Sequence, residues 1–92
     1  MMGFGSLILG HSHPEVVESV TNQVENGTDF GALSELELTW ASKVQNLIPS
    51  AKRVRFTSSG TEATLLAMRL ARGYTGKNKI IKFVEYYHGW HD

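Results

Sequence analysis

Cysteine is absent from this 92-residue chain. That excludes disulfides, thiolate nucleophiles and thiolate metal sites. It leaves the redox compartment open, and a cytoplasmic setting is the one expected. Net charge is absent as well, with nine Lys and Arg against nine Asp and Glu. The chain as a whole makes no case for nucleic acid or an anionic membrane surface as partner. No run approaches the ~20 apolar residues of a membrane span. Leu7-Ile8-Leu9 has neither the basic flank nor the length of a signal peptide. Proline occurs only twice, at Pro14 and Pro49. No internal repeat or low-complexity tract interrupts the sequence.

What is present fits a globular segment: 41% hydrophobic and 20% charged residues, in a length that allows one small domain. Gly3-x-Gly5 begins like a dinucleotide fingerprint, but Ile8 holds the place of the third glycine and no strand precedes it. His11-Ser12-His13-Pro14 reads as a turn into a helix, with Pro14 at the first helical position. Val16, Val17, Val20 and Val24 follow at helical spacing, and Asn26-Gly27 is a stop. The narrow stripe predicts a helix that covers something from the surface.

Residues 28–33 read as a loop. Ser34-Glu35-Leu36-Glu37 has the capping-box pattern. Leu36, Trp40, Val44, Leu47 and Ile48 continue one helical face until Pro49, so a helix is predicted over 35–48. Trp40 and the valine stripe are expected in a core. Val54 and Phe56 alternate with Arg53, Arg55 and Thr57, the pattern of a short strand. A polar turn, Ser58-Ser59-Gly60-Thr61, leads into an apolar face of Ala63, Leu66, Ala67, Leu70, Ala71 and Tyr74, bracketed by Gly73 and Gly76. Lys79 to Val84 reads as a second strand. Strand, helix and strand within about thirty residues predict a parallel, right-handed βαβ unit preceded by two helices, an α/β fold.

The polar turn is the candidate for chemistry. Amides at a helix start are unsatisfied and sit at the positive end of the helix dipole, so Ser59, Gly60 and Thr61 read as an anion cradle. The same residues also suit an ordinary N-cap turn. In an open α/β sheet ligands bind beyond the carboxyl ends of the strands. Tyr86-Tyr87-His88-Gly89 should therefore open toward the same edge as the cradle. Tyr86 and Tyr87 alternate in facing, so only one of them can act as an aromatic shelf. His11, His13, His88 and His91 form two short pairs without a carboxylate or cysteine at ligand spacing; they read as turn and capping residues, and no metal site is expected. Arg53, Arg55, Lys77, Lys79 and Lys82 read as a solvated strand edge.

Four segments together resemble a known family. They are Leu7-Ile8-Leu9-Gly10-His11-Ser12-His13-Pro14, Phe30-Gly31-Ala32 before Glu35-Leu36-Glu37, Ser59-Gly60-Thr61-Glu62-Ala63, and Tyr87-His88-Gly89-Trp90-His91-Asp92. In this order and spacing they resemble the class III pyridoxal-phosphate (PLP) aminotransferases, with glutamate-1-semialdehyde 2,1-aminomutase and its aminotransferase relatives nearest. The resemblance implies part of the PLP-binding large domain of a fold-type I enzyme over residues 1–92, with an amino-terminal segment and helix in 1–33 and a helix plus the βαβ unit in 34–92. It implies a homodimer acting on a small amino acid or amino ketone.

Carried over by position, Ser59, Gly60 and Thr61 would hold the cofactor phosphate, Tyr87 would stack on the pyridine ring, His88 would flank it, and Phe4 would lie near the substrate. Several positions depart from the family pattern: Gly3-x-Gly5-Ser6 around Phe4, Ser58 where many relatives carry asparagine, and Leu33-Ser34 in place of proline and threonine. The family's Schiff-base lysine and its pyridinium-pairing aspartate fall downstream of the His-Gly motif. Nothing marks Lys79 or Lys82 for that role, so no transaminase activity is expected of these 92 residues alone. The alternatives are a non-catalytic module for a phosphate-bearing ligand and an interaction remnant with a vestigial site.

Overall fold

Three α-helices form in the computed structural model, which describes residues 1–91: α1 (Pro14–Asn26), α2 (Glu35–Leu47) and α3 (Gly60–Thr75). Each starts and stops where its local chemistry dictates. His13 is the N-cap of α1, with Pro14 at the first helical position, where its missing N–H costs nothing. Gly27, at φ +97°, ends the helix in a conformation that a Cβ disfavours, and its N–H donates to the Val24 carbonyl at 3.2 Å.

The capping box of α2 is closed in both directions. The Glu37 amide donates to Ser34 Oγ at 3.3 Å, and the Ser34 amide donates to Glu37 Oε2 at 3.1 Å. The helix ends at Leu47, one residue short of the expected end and two before Pro49. Helix α3 takes Ser59 as N-cap, whose Oγ accepts from the Glu62 amide at 3.3 Å. It runs through Gly73 and stops at Gly76 in the left-handed region, with the Gly76 amide on the Arg72 carbonyl at 2.9 Å.

The chain divides into two units, residues 1–38 and 39–92, with the boundary inside α2. In the first unit a short 3-10 turn, Met2–Gly5, precedes α1, and the Phe30 ring lies 3.0 Å from where a Cβ on Gly27 would sit. In the second unit Trp40 stacks on Phe56 with ring centroids 4.2 Å apart and planes 18° from parallel. Gln45 Nε2 donates to the Lys52 carbonyl at 3.0 Å, and Arg72 Nε donates to the Asn78 carbonyl at 2.9 Å. These bonds fold the flanking segments back onto α2 and α3.

The expected α/β fold, a parallel βαβ unit of the fold-type I kind, is corrected by the structure. Among the described residues there is no strand: 53–57 and 79–84 run without a hydrogen-bonded ladder on either side of α3. The physical reason is cover. Parallel strands persist when both faces are packed, and a two-stranded sheet by itself is marginal in water. Here no described residue is fully buried, so neither face of such a sheet would be covered. The side-chain alternation survives without the ladder. Val54 and Phe56 are half-buried while Arg53, Arg55 and Thr57 are exposed.

The expected core is missing for the same reason. Trp40 is 58% exposed despite its stacking, and Val16, Val17, Val20 and Val24 all lie on the surface. Among the described residues no helix is long and apolar enough to cross a membrane.

Candidate functional site

The start of α3 is capped from within by Ser59. Within the described residues the Glu62 amide is satisfied by Ser59 Oγ and the Ala63 amide by the Ser59 carbonyl at 3.1 Å. Among the described residues the amides of Gly60 and Thr61 have no acceptor, as expected of the first helical positions. Gly60 stands in the open, with nothing within 4 Å of the place a Cβ would take, so a tetrahedral anion can approach the backbone closely. One feature opposes an anion: the Ser59 hydroxyl donates to Glu62 Oε2 at 3.2 Å, which sets a carboxylate beside the cradle. An anion that uses this hydroxyl must displace that bond, while the two amides are available without rearrangement.

The segment after the second irregular stretch returns to this helix. Thr64 Oγ1, one turn into α3, lies 2.6 Å from the His88 carbonyl and 2.8 Å from His91 Nε2. The place a Gly89 Cβ would occupy is 3.0 Å from the Thr61 methyl, and Gly89 sits at φ +115°. The chain thus passes the first turn of α3 at a point where only glycine fits. The Ser59–Thr61 turn and the His88-Gly89 pair are neighbours through these contacts, and the sheet edge that sequence reasoning invoked plays no part.

The expected ring-facing residues separate into two groups. Tyr86 and His88 share a side, with ring centroids 6.4 Å apart, and Tyr86 also meets Phe83 at 5.7 Å. Both line a cavity of about 900 Å³ between α3 and residues 78–91, together with Ala67, Met68 and Phe83. Tyr87 lies outside this cavity and is 76% exposed. Ser59, Gly60 and Thr61 are not among the cavity's lining residues either. Both adjacent tyrosines are exposed, but only Tyr86, at 63%, has ring neighbours. Lys79 and Lys82 line the same cavity from the irregular 79–84 segment. Phe4 belongs to the first unit, in the 3-10 turn at φ +55°, and is 91% exposed. Asp92, the last residue of the C-terminal motif, lies outside the described residues.

Two participants escaped sequence reasoning. Thr64 lay one helical turn beyond the cradle, at a spacing from Thr61 that puts both on one face. His91 reads in the sequence as a turn residue, yet its bond to Thr64 spans 27 positions. Among the described residues no three His, Cys, Asp or Glu gather as a metal site would require.

Comparison with known proteins adds what geometry alone cannot. Glutamate-1-semialdehyde 2,1-aminomutase of Sulfurisphaera tokodaii is 52% identical over 92 residues, all of this chain and 22% of its own. The enzyme of the same name from Alkaliphilus metalliredigens is 56% identical over 89 residues, 97% of this chain and 20% of its own. That from Legionella pneumophila strain Paris is 54% identical over 89 residues, 97% of this chain and 21% of its own. The chain thus spans about a fifth of the length of the curated relatives it matches. No solved structure matches it. The family model for Aminotransferase class-III matches residues 1–92, from the first residue to the last, and the chain belongs to that family.

Proposed function

We propose that this chain carries the cofactor-holding part of a PLP-dependent enzyme of the glutamate-1-semialdehyde aminomutase or aminotransferase type. The observation that carries this reading is the pair of unsatisfied amides at Gly60 and Thr61, with the His88-Gly89 segment tied to the same end of α3. A dianionic phosphate suits that place: two N–H donors and the helix dipole all favour negative charge there. PLP, when bound, supplies an electron sink for carbanion chemistry at a substrate amine.

The chain's own residues then have distinct tasks. The Gly60 and Thr61 amides and the Thr61 hydroxyl bind the phosphate, and Ser59 joins once its hydroxyl leaves Glu62. Tyr87 offers an open aromatic face for a planar ring, and His88 borders that ring from the next position. Phe4 is assigned to the substrate side, on the family pattern alone. The substrate class is a small amino acid or amino ketone, and the working form is a homodimer in the cytoplasm. The lysine that would bond to the cofactor is assigned to residues outside these 92.

The test is a titration with PLP that follows tyrosine fluorescence in the protein at its full natural length, with inorganic phosphate as competitor. Saturable quenching that phosphate displaces is the expected result. A Gly60→Pro variant, which removes one of the two amides, should weaken PLP binding by about tenfold or more, as loss of a hydrogen bond to a charged group does. Equal PLP affinity in wild type and variant would overturn the phosphate assignment.

A further inference from the structure

The Thr64 hydroxyl has more neighbours than it has protons. Its Oγ1 lies 2.9 Å from the Gly60 carbonyl, 3.0 Å from the Thr61 carbonyl, 2.6 Å from the His88 carbonyl and 2.8 Å from His91 Nε2. Three of these four are carbonyl oxygens, which only accept. One hydroxyl donates one proton and accepts through its lone pairs. The carbonyls therefore compete for the single proton, and the shortest separation belongs to His88. With the hydroxyl proton given to the His88 carbonyl, the imidazole joins as a donor when Nε2 carries its proton. A proton on His91 Nε2 fits this arrangement, with donation running from His91 to Thr64 to the His88 carbonyl.

Gly89 is the second, independent observation. It lies between the two anchored residues, at φ +115°. A Cβ there would lie 2.8 Å from His91 Nε2 and 3.0 Å from the Thr61 methyl. The close pass and the two hydrogen bonds hold residues 88–91 at one height on α3, one turn from the free amides of Gly60 and Thr61.

We propose that Thr64 and His91 are positioning residues for the cofactor site. Through the His88 carbonyl they fix Tyr87 and His88 at a set offset from the phosphate-binding amides. This rests on the PLP reading above, but the bonds that constitute it exist before any cofactor arrives. Neither residue touches the cofactor in this proposal; both act through the backbone of 87–89.

The test uses the full-length protein and two readouts. Without PLP, long-range proton–nitrogen NMR correlations of the His91 ring should show the proton on Nε2. Thr64→Val should shift the amide signals of Tyr87, His88 and Gly89, and Thr64→Ser should return them toward wild type. With PLP, Thr64→Val should weaken cofactor binding by about three- to tenfold, the range for one hydrogen bond, and leave the affinity for inorganic phosphate within about twofold. Thr64→Ser and His91→Gln, which keep a hydroxyl and an N–H donor at those points, should recover most of the loss.

A proton on His91 Nδ1 alone, unchanged PLP affinity in Thr64→Val, equal losses of PLP and phosphate, or no recovery in Thr64→Ser would each overturn the proposal. Wild type that binds no PLP overturns the functional reading and the positioning role with it. The ring-nitrogen and amide signals then still report whether the Thr64–His91 bond exists, so the two failures are told apart.

Discussion

Gly89 is the residue at which the candidate site is least tolerant of change. Any side chain there meets both a strained backbone angle and two near neighbours, His91 and Thr61. Gly89→Ala should cost about 1–3 kcal/mol locally, enough to lift residues 88–91 off α3. The expected sign is loss of the nuclear Overhauser contact between the His91 ring and the Thr64 side chain, whose Oγ1 lies 2.8 Å from Nε2; its persistence at wild-type strength would show that the segment adjusts. The neighbouring aromatics follow from the same placement. Tyr86 is engaged by Phe83 and His88, while Tyr87 stays open. Alternation predicts that Tyr86 and Tyr87 face opposite sides. The side that Tyr86 takes follows from the turn at residues 83–86, where Glu85 takes φ +67° and the Tyr86 amide reaches the Phe83 carbonyl.

At the scale of elements, helices were legible and strands were not. Helix ends are decided by bonds a few residues apart: Pro14 and Gly27 for α1, Ser34 with Glu37 for α2, Ser59 and Gly76 for α3. Such signals lie within the sequence window they control. Ser34→Ala removes one half of the α2 box and should cost about 1 kcal/mol. Hydrogen exchange at Glu37 should then quicken by about fivefold; an unchanged rate would mean the box contributes nothing. Strands depend on partners that a local pattern cannot name. The alternation at 53–57 is present in the structure as exposed and half-buried sides, so the pattern was read correctly and the ladder was not. The turn at Ser59–Thr61 was legible as a helix start because its cap lies within the sequence window that it controls. Its connection to His88 was not, since that runs through a threonine whose sequence role looked like helix surface.

For the whole molecule the governing fact is that no described residue is buried while large apolar side chains such as Ile81, Val84 and Trp90 lie mostly in solvent. A segment that makes up about a fifth of its longer relatives has no need of a core of its own. Studied by itself, the 92-residue piece should bind an apolar dye such as ANS and melt without a cooperative transition, keeping its helical circular dichroism while lacking fixed packing. A sharp two-state melt with coincident probes would contradict this. The family match covers the full chain, but the activity of the relatives belongs to proteins about five times as long.

The crowding at Thr64 has one more implication, for how easily the site opens. When residues 88–91 leave α3, the hydroxyl proton is not stranded. It can turn to the Gly60 carbonyl 2.9 Å away, within its own helix. At this exposed position water can also take up the groups that separate. Here a fallback acceptor stands ready, so release costs little more than the contact itself. Residues 88–91 can thus leave α3 and return without local unfolding of the helix beneath them.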